Sequence, residues 1–434
     1  MTIAIEPSTV KRALSSHAAI GLLAGALLYL VCLSGTVLVL YEEWQRWEQP
    51  DAPEMTAIAP EAVQRGVEAV LAKEAGQTPT THLYVHLPTP ELPRATITTD
   101  TNAFHIDRAG AIVVPEENKW SEFLYALHYT LNLPALVGIT IVGALGALML
   151  ALALSGVIAH PKICRDAFRL RARHSGGVGL SDWHNRLSVW TLPFSLALAL
   201  TGAIIGLASV AAYAIAAASY DGDLEAVYAP MFGGEPEADP APAPVADVTV
   251  ALGHMAAEFP QIAISYVILH DPLTAGQHVQ IVGGHDRRLI FGEYYAFGAD
   301  GTFHGTAGMA DGKLGQQAAA SIYNLHFGNY GGLPVKLAYI LFGLALTGVS
   351  ATGMYIWLGK RRRRGIDEPR QRAMWDALVW GAPLALVLTL AARFAIGNAA
   401  PFTAIFWGVL ALALAVAAWR PQVLARAPRT ATPG

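Results

Sequence analysis

Four histidines stand at or near the start of long apolar stretches: His17, His128, His184 and His326. Neutral imidazole is a usual axial ligand of haem iron, and helical bundles hold such cofactors between facing helices. An ionisable side chain at membrane depth is costly, so it points to function first. The spacing described below sets His17 level with His184, and His128 level with His326. Two opposed histidines at one depth are what a six-coordinate b-type haem requires. Two such pairs, one per leaflet, would make an electron path across a bilayer. The four are therefore the expected ligands of haem iron, in two haem b groups, with His160 as a reserve ligand.

Three other uses of these residues stay open: hydrogen bonding at helix ends, proton relay and zinc binding. The spans carry no Asp or Glu to share a relayed proton. Tetrahedral zinc wants three or four convergent ligands. His174 lies in a basic loop and is expected to be solvated. His82, His86, His105, His254, His270, His278, His285 and His304 are scattered over strand-like runs and turns, and no role is assigned to them.

The elements that must position the four histidines form an internal repeat. From His17 the chain reads HAAIGLLAGALLYLVCLSG, and from His184 it reads HNRLSVWTLPFSLALALTG. Each histidine stands 18 residues before the glycine of a Leu-Ser/Thr-Gly triplet, Gly35 or Gly202. LHYTLNLP at 127–134 answers LHFGNYGGLP at 325–334, and Pro134 and Pro334 each precede a glycine, Gly143 and Gly343, by nine residues. Gly21 with Gly25, and Gly202 with Gly206, are GxxxG pairs suited to close helix packing.

The composition says where this repeat resides. Of 434 residues, 53% are hydrophobic and 14% charged, against roughly a quarter charged in soluble domains. The net charge of −4 offers no basic excess for nucleic acid. Six stretches suit a bilayer core of about 30 Å: 14–40, 134–159, 187–218, 333–358, 377–397 and 401–419. The first is read as an uncleaved anchor, too long for a signal peptide. The last two form a hairpin, 377–419, outside the repeat. The expected fold is thus a polytopic α-helical membrane protein: two parallel repeats of helix, small α+β domain, helix, making a four-helix bundle, plus that hairpin.

Lys and Arg mark the cytoplasmic side. Lys11 and Arg12, then Lys162, Arg165, Arg169, Arg171, Arg173 and Arg186 in the loop 160–186, Lys360 and Arg361 to Arg364 in the loop 359–376, and Arg420, Arg426 and Arg429 all fall on one face if both termini are cytoplasmic. The segments 41–133 and 219–332 then lie outside the inner membrane, in keeping with their acidic residues. Trp44, Trp47 and Trp120 are expected as interfacial anchors there. Each segment reads as an α+β domain, with helix-like spacing at 59–76 or 247–259 followed by strand-like runs such as THLYVHL and AISYVIL. EPEADPAPAP at 235–244 is an extended linker. Cys32 and Cys164 are kept apart by this topology, so cysteine chemistry is not expected.

The segments HAAIGLLAG with LSG, LHYTLNLP, SDWHNRLSVWTLPF with LTG, and LHFGNYGGLP resemble the PepSY-associated transmembrane family of iron-regulated bacterial inner-membrane proteins, over residues about 12–364. The resemblance implies that the external domains are PepSY modules. It implies that the motif histidines are His17, His128, His184 and His326; at His160 many members have another residue. Some members resemble ferric-siderophore reductases that carry b-type haem. The expected activity is therefore an oxidoreductase one, reduction of Fe(III) to Fe(II) in a ferric siderophore in the periplasm. No GxGxxG phosphate loop follows a strand, so electrons are expected from a separate cytoplasmic reductase or the quinol pool. Two alternatives are a non-enzymatic PepSY module that binds or regulates a periplasmic partner, and a transporter.

Overall fold

The structure is a computed structural model that describes residues 6–162, 178–285 and 289–421. Cys164, Arg165, Arg169, Arg171, Arg173, His174, Arg426 and Arg429 lie outside the described residues. The chain divides into two compact units. One is helical and takes Met1–Val39, Lys119–Leu207 and Gly331–Gly434; the other takes Leu40–Asn118 and Ala208–Tyr330 and contains the sheet.

Among the described residues, six helices are long and apolar enough to cross a membrane. They are α1 (Pro7–Leu38), α5 (Ala135–Ala159), α7 (Leu192–Ser219), α11 (Gly332–Arg363), α12 (Pro369–Ile396) and α13 (Phe402–Trp419). The shorter α4 (Lys119–Thr130), expected within the first external segment, groups with the helical unit. The segment before α7 is also helical, α6 (Val178–Trp190), where a loop was expected. Arg186 lies on α6 rather than in open loop; it is 3% exposed, with Asp182 one turn earlier at 3.8 Å. An i,i+4 pair on a helix explains why it need not face water.

Small residues set the tightest helix contact. A Cβ added to Gly143 of α5 would lie 2.6 Å from the backbone carbon of Gly206 of α7, so the two backbones touch. Where lipid tails remove the hydrophobic drive between helices, such close approach is what dispersion needs. The GxxxG pair on α1 does not do this. Cβ atoms at Gly21 and Gly25 would meet only Leu152 and Trp375 side chains at 3.9 Å, an ordinary contact.

The hairpin of α12 and α13 is tied to the repeat helices by hydrogen bonds from aromatic residues. Trp120 Nε1 donates to Thr389 Oγ1 at 3.1 Å, Trp375 Nε1 to the Ala351 carbonyl at 3.0 Å, and Trp407 Nε1 to Asn132 Oδ1 at 3.1 Å. Tyr29 donates its hydroxyl to the Val379 carbonyl at 2.7 Å. Trp120, expected as an interfacial anchor, is instead 2% exposed. An indole N–H taken out of water needs an acceptor, and Thr389 supplies it.

The sheet-bearing unit corrects the expectation of two separate α+β domains. Its eight strands form one antiparallel sheet in the order β4-β3-β2-β1-β5-β6-β7-β8. The strands are β1 (His82–His86), β2 (Ala95–Thr98), β3 (Ala103–Ile106), β4 (Ile112–Pro115), β5 (Ala263–His270), β6 (His278–His285), β7 (Ile290–Gly298) and β8 (Phe303–Thr306). Each half alone would leave an edge strand unpaired, which invites aggregation; β1 and β5 pair and close both edges. Val85 faces Val267, and aligning LYV of 83–85 with SYV of 265–267 makes these the same residue of the repeat.

One face of the sheet is covered by α3 (Pro60–Lys73) and α9 (Val248–Glu258), whose apolar stripes bury Val63, Val67, Val70, Val248, Ala251 and Met255. Leu83, Val85, Val267, Leu269 and Ile281 complete this core. Alternation with period 2 sends the residues between them to the other face. Those are His82, Tyr84, His86, Tyr266, Ile268, His270, His278 and Gln280.

Candidate functional site

In the helical unit, three of the four expected ligand histidines are held in one manner. His17 projects from α1, and its Nδ1 lies 3.0 Å from the Leu152 carbonyl and 3.2 Å from Ser155 Oγ, both on α5. His128 projects from α4, with Nδ1 3.0 Å from the Val31 carbonyl and 3.4 Å from Ser34 Oγ on α1. His184 projects from α6, with Nδ1 3.0 Å from Thr352 Oγ1 on α11. In each case the holder is a Ser or Thr followed directly by glycine: Ser34-Gly35, Ser155-Gly156 and Thr352-Gly353.

These bonds fix the tautomer. A carbonyl only accepts, so Nδ1 of His17 and of His128 must carry the proton. The Thr352 hydroxyl donates to the Gly348 carbonyl at 2.8 Å, so its oxygen accepts from His184 Nδ1. Nε2 is then left with the lone pair, the form in which imidazole binds metal. Such a second hydrogen bond also orients the ring and raises its basicity. Among the described residues, Nε2 of His17 and of His184 makes no hydrogen bond.

The glycines have a part too. A Cβ at Gly35 would stand 2.6 Å from His128 Cε1, one at Gly156 would stand 3.4 Å from His17 Cε1, and one at Gly353 would stand 3.6 Å from His184 Cε1. Each triplet therefore gives a hydroxyl to the imidazole and, next to it, the space for the ring.

The structure brings His17 and His184 together. Their ring centres are 6.4 Å apart and their planes cross at 85°. Two metal–nitrogen bonds of about 2.0 Å each, plus roughly 1 Å from each nitrogen to its ring centre, give a separation of about 6 Å for two imidazoles on one metal. His326 lies on α10 (Leu314–Phe327) of the sheet-bearing unit, and the sequence repeat is what relates it to His128. His160 stands just beyond the end of α5. The sequence reading missed Ser34, Ser155 and Thr352. Their signal was the Ser/Thr-Gly dipeptide recurring near helix ends, of which only Gly35 and Gly202 stood out from the repeat.

Comparison with known proteins now decides the family. The model of the PepSY-associated TM region matches residues 14–360. The chain belongs to this family. One curated relative, the uncharacterized protein PA4219 of Pseudomonas aeruginosa, is 27% identical over 249 residues, covering 55% of this chain. The match spans 62% of that protein's own length, so this PepSY-associated membrane protein corresponds to about three-fifths of it.

Proposed function

We propose that this chain is an inner-membrane b-type haem protein that passes electrons outward and reduces Fe(III) to Fe(II) in a ferric siderophore held in the periplasm. The observation that carries the reading is the His17–His184 pair, with ring centres 6.4 Å apart and Nδ1 of each held by the helix it faces. These two residues would hold one haem. His128 and His326 would hold a second, an assignment that rests on the repeat. Haem, when bound, accepts and releases one electron at a time.

The chain's own contribution is positioning. Ser155 with the Leu152 carbonyl, and Thr352, hold the two imidazoles with the proton on Nδ1 and Nε2 as donor, and these hydrogen bonds raise the basicity of the rings. The basic loops support an orientation with both termini in the cytoplasm, which would put the sheet-bearing unit in the periplasm. The reductant would be a cytoplasmic protein or quinol.

Purified protein should give a b-type spectrum and two haems per chain by pyridine haemochrome. His17→Ala and His184→Ala should each remove one haem and leave the other. A chain without chromophore after expression with ample haem would sink the reading and favour a membrane-anchored PepSY module that binds a periplasmic partner.

A further inference from the structure

Three histidines with no role in the sequence reading stand in one row across three neighbouring strands. His82 of β1 pairs in register with His270 of β5, which pairs with His278 of β6. In-register neighbours share a face, so all three imidazoles project to the same side of the sheet. His270 and His278 are 9% and 7% exposed. The rings of His82 and His270 are 4.9 Å apart, and those of His270 and His278 lie face to face at 4.3 Å. Glu235, at the start of the Pro/Ala linker, reaches the same place: its Oε1 is 4.0 Å from His270 Nδ1.

We propose that His82, His270 and Glu235 form a binding site for a divalent first-row metal ion, with Zn2+ as the ion that suits this donor set. The hydrogen bonds around the cluster determine where the lone pairs are. Gln280 Nε2 donates to the Phe232 carbonyl at 3.0 Å, which fixes its amide and turns Oε1 to His270 Nε2 at 3.2 Å. An amide oxygen only accepts, so the His270 proton is on Nε2 and the lone pair is on Nδ1, facing Glu235. The Thr81 hydroxyl donates to Asp100 Oδ2 at 3.0 Å, so its oxygen accepts from His82 Nδ1 at 2.9 Å. The His82 lone pair is therefore on Nε2. Both histidines thus have the outer partner that metal-ligating histidines regularly show.

In the neutral ring the His270 Nδ1 lone pair faces the Glu235 carboxylate at 4.0 Å, an arrangement that a cation between them would stabilise. The nearest ligand atoms of the three residues all lie within 4.8 Å of one another. Tetrahedral ligands at about 2.0–2.1 Å from zinc are spaced by roughly 3.3 Å, so the site must contract slightly. Glu235, whose side chain is 57% exposed on an extended linker, can make that movement. Two imidazoles and one carboxylate leave a fourth position for water or for a further ligand. Beside it, both ring nitrogens of His278 are buried with no hydrogen-bond partner of good geometry among the described residues. The scaffold does not require this cluster. With Val85 and Val267 equivalent, the repeat puts Ile264 at the place of His82 and Pro88 at that of His270. A bound ion would clip the linker to the sheet.

The test is calorimetric titration of Zn2+ into tag-free, chelator-treated full-length protein in detergent, with metal counted by mass spectrometry. One equivalent should be lost in H82A/H270A and retained in H17A/H184A. The exposed Glu235→Gln, which does not threaten folding, should weaken the same equivalent at least tenfold. Haem counted on the same samples should be unchanged in H82A/H270A, so this site and the haem reading stand or fall separately. Equal Zn2+ stoichiometry in native protein and H82A/H270A, or unchanged affinity in E235Q, would overturn the proposal.

Discussion

At Gly35 the packing of the helical unit leaves no room for a methyl beside His128, and three glycine-to-alanine changes form a graded test. The Gly35 Cβ would lie 2.6 Å from His128 Cε1 and 3.0 Å from its Nδ1. To restore an ordinary contact of about 3.4 Å the ring must retreat by about 0.8 Å, which carries Nδ1 out of hydrogen-bond range of the Val31 carbonyl. A buried donor left unsatisfied costs about 1–3 kcal/mol, and overpacking adds about 1–3 kcal/mol. The gain in helix propensity returns at most about 1 kcal/mol. The net loss is thus about 1–5 kcal/mol. At Gly156 the same methyl would meet His17 at 3.4 Å, and at Gly353 it would meet His184 at 3.6 Å. Those changes should cost little, because the propensity gain offsets the contact. Thermal unfolding in detergent, followed by tryptophan fluorescence and paired with haem content, should rank native, Gly353→Ala and Gly156→Ala together, with Gly35→Ala well below. Were Gly353→Ala to melt as low as Gly35→Ala, or Gly35→Ala to match the native chain, the packing argument would be wrong.

Three further outcomes follow from the structure. Arg94 is 2% exposed and donates to the carbonyls of Gln45, Arg46 and Gln49, the last turn of α2 (Tyr41–Glu48) and just beyond it; Arg94→Ala should therefore destabilise the protein by about 3–5 kcal/mol in a denaturant titration. Gly143→Ala puts a methyl against the Gly206 backbone, which cannot turn aside as a side chain can, so a clear drop in melting temperature is expected, while Gly253→Ala, with open space around it on a helix, should leave melting unchanged or raise it slightly. Burial, with the Arg94 charge nearby, holds the His105 pKa down at about 4 against 6.5 when unfolded. The unfolded chain then takes up this proton first as the pH falls, so stability present above pH 6.5 is lost progressively down to about pH 4, by at most about 3 kcal/mol. His105→Gln should flatten that dependence; an unchanged slope would show that other groups carry it.

Much of the architecture was legible in the chain because it depends on local pattern. Apolar runs long enough for a bilayer gave the six helices, and the shared spacing of His17 to Gly35 and His184 to Gly202 gave the repeat. The strand-like runs were legible for the same reason. What pairs with what was not: sequence alternation left each α+β segment as a domain of its own, whereas β1 and β5 join them into one sheet. Trp120 reads as an interfacial anchor by type, and only its neighbour Thr389, 269 residues later, makes it a buried donor.

The sequence by itself determined the residue types: imidazoles flanking the apolar spans, Ser/Thr-Gly dipeptides within them, and a period of 2 that sends His82, His270 and His278 to the face opposite the apolar core. The tertiary structure alone decided their partners. Ser155 reaches His17 across 138 residues, and His270 lies beside His82 across 188. The physical reason is that periodicity fixes the direction in which a side chain points, but not the register in which a distant element packs against it. Register is set by which glycines let backbones approach and which strand edges remain to be paired. Those are properties of the assembled fold, and in this protein they turn scattered histidines into ordered pairs and rows.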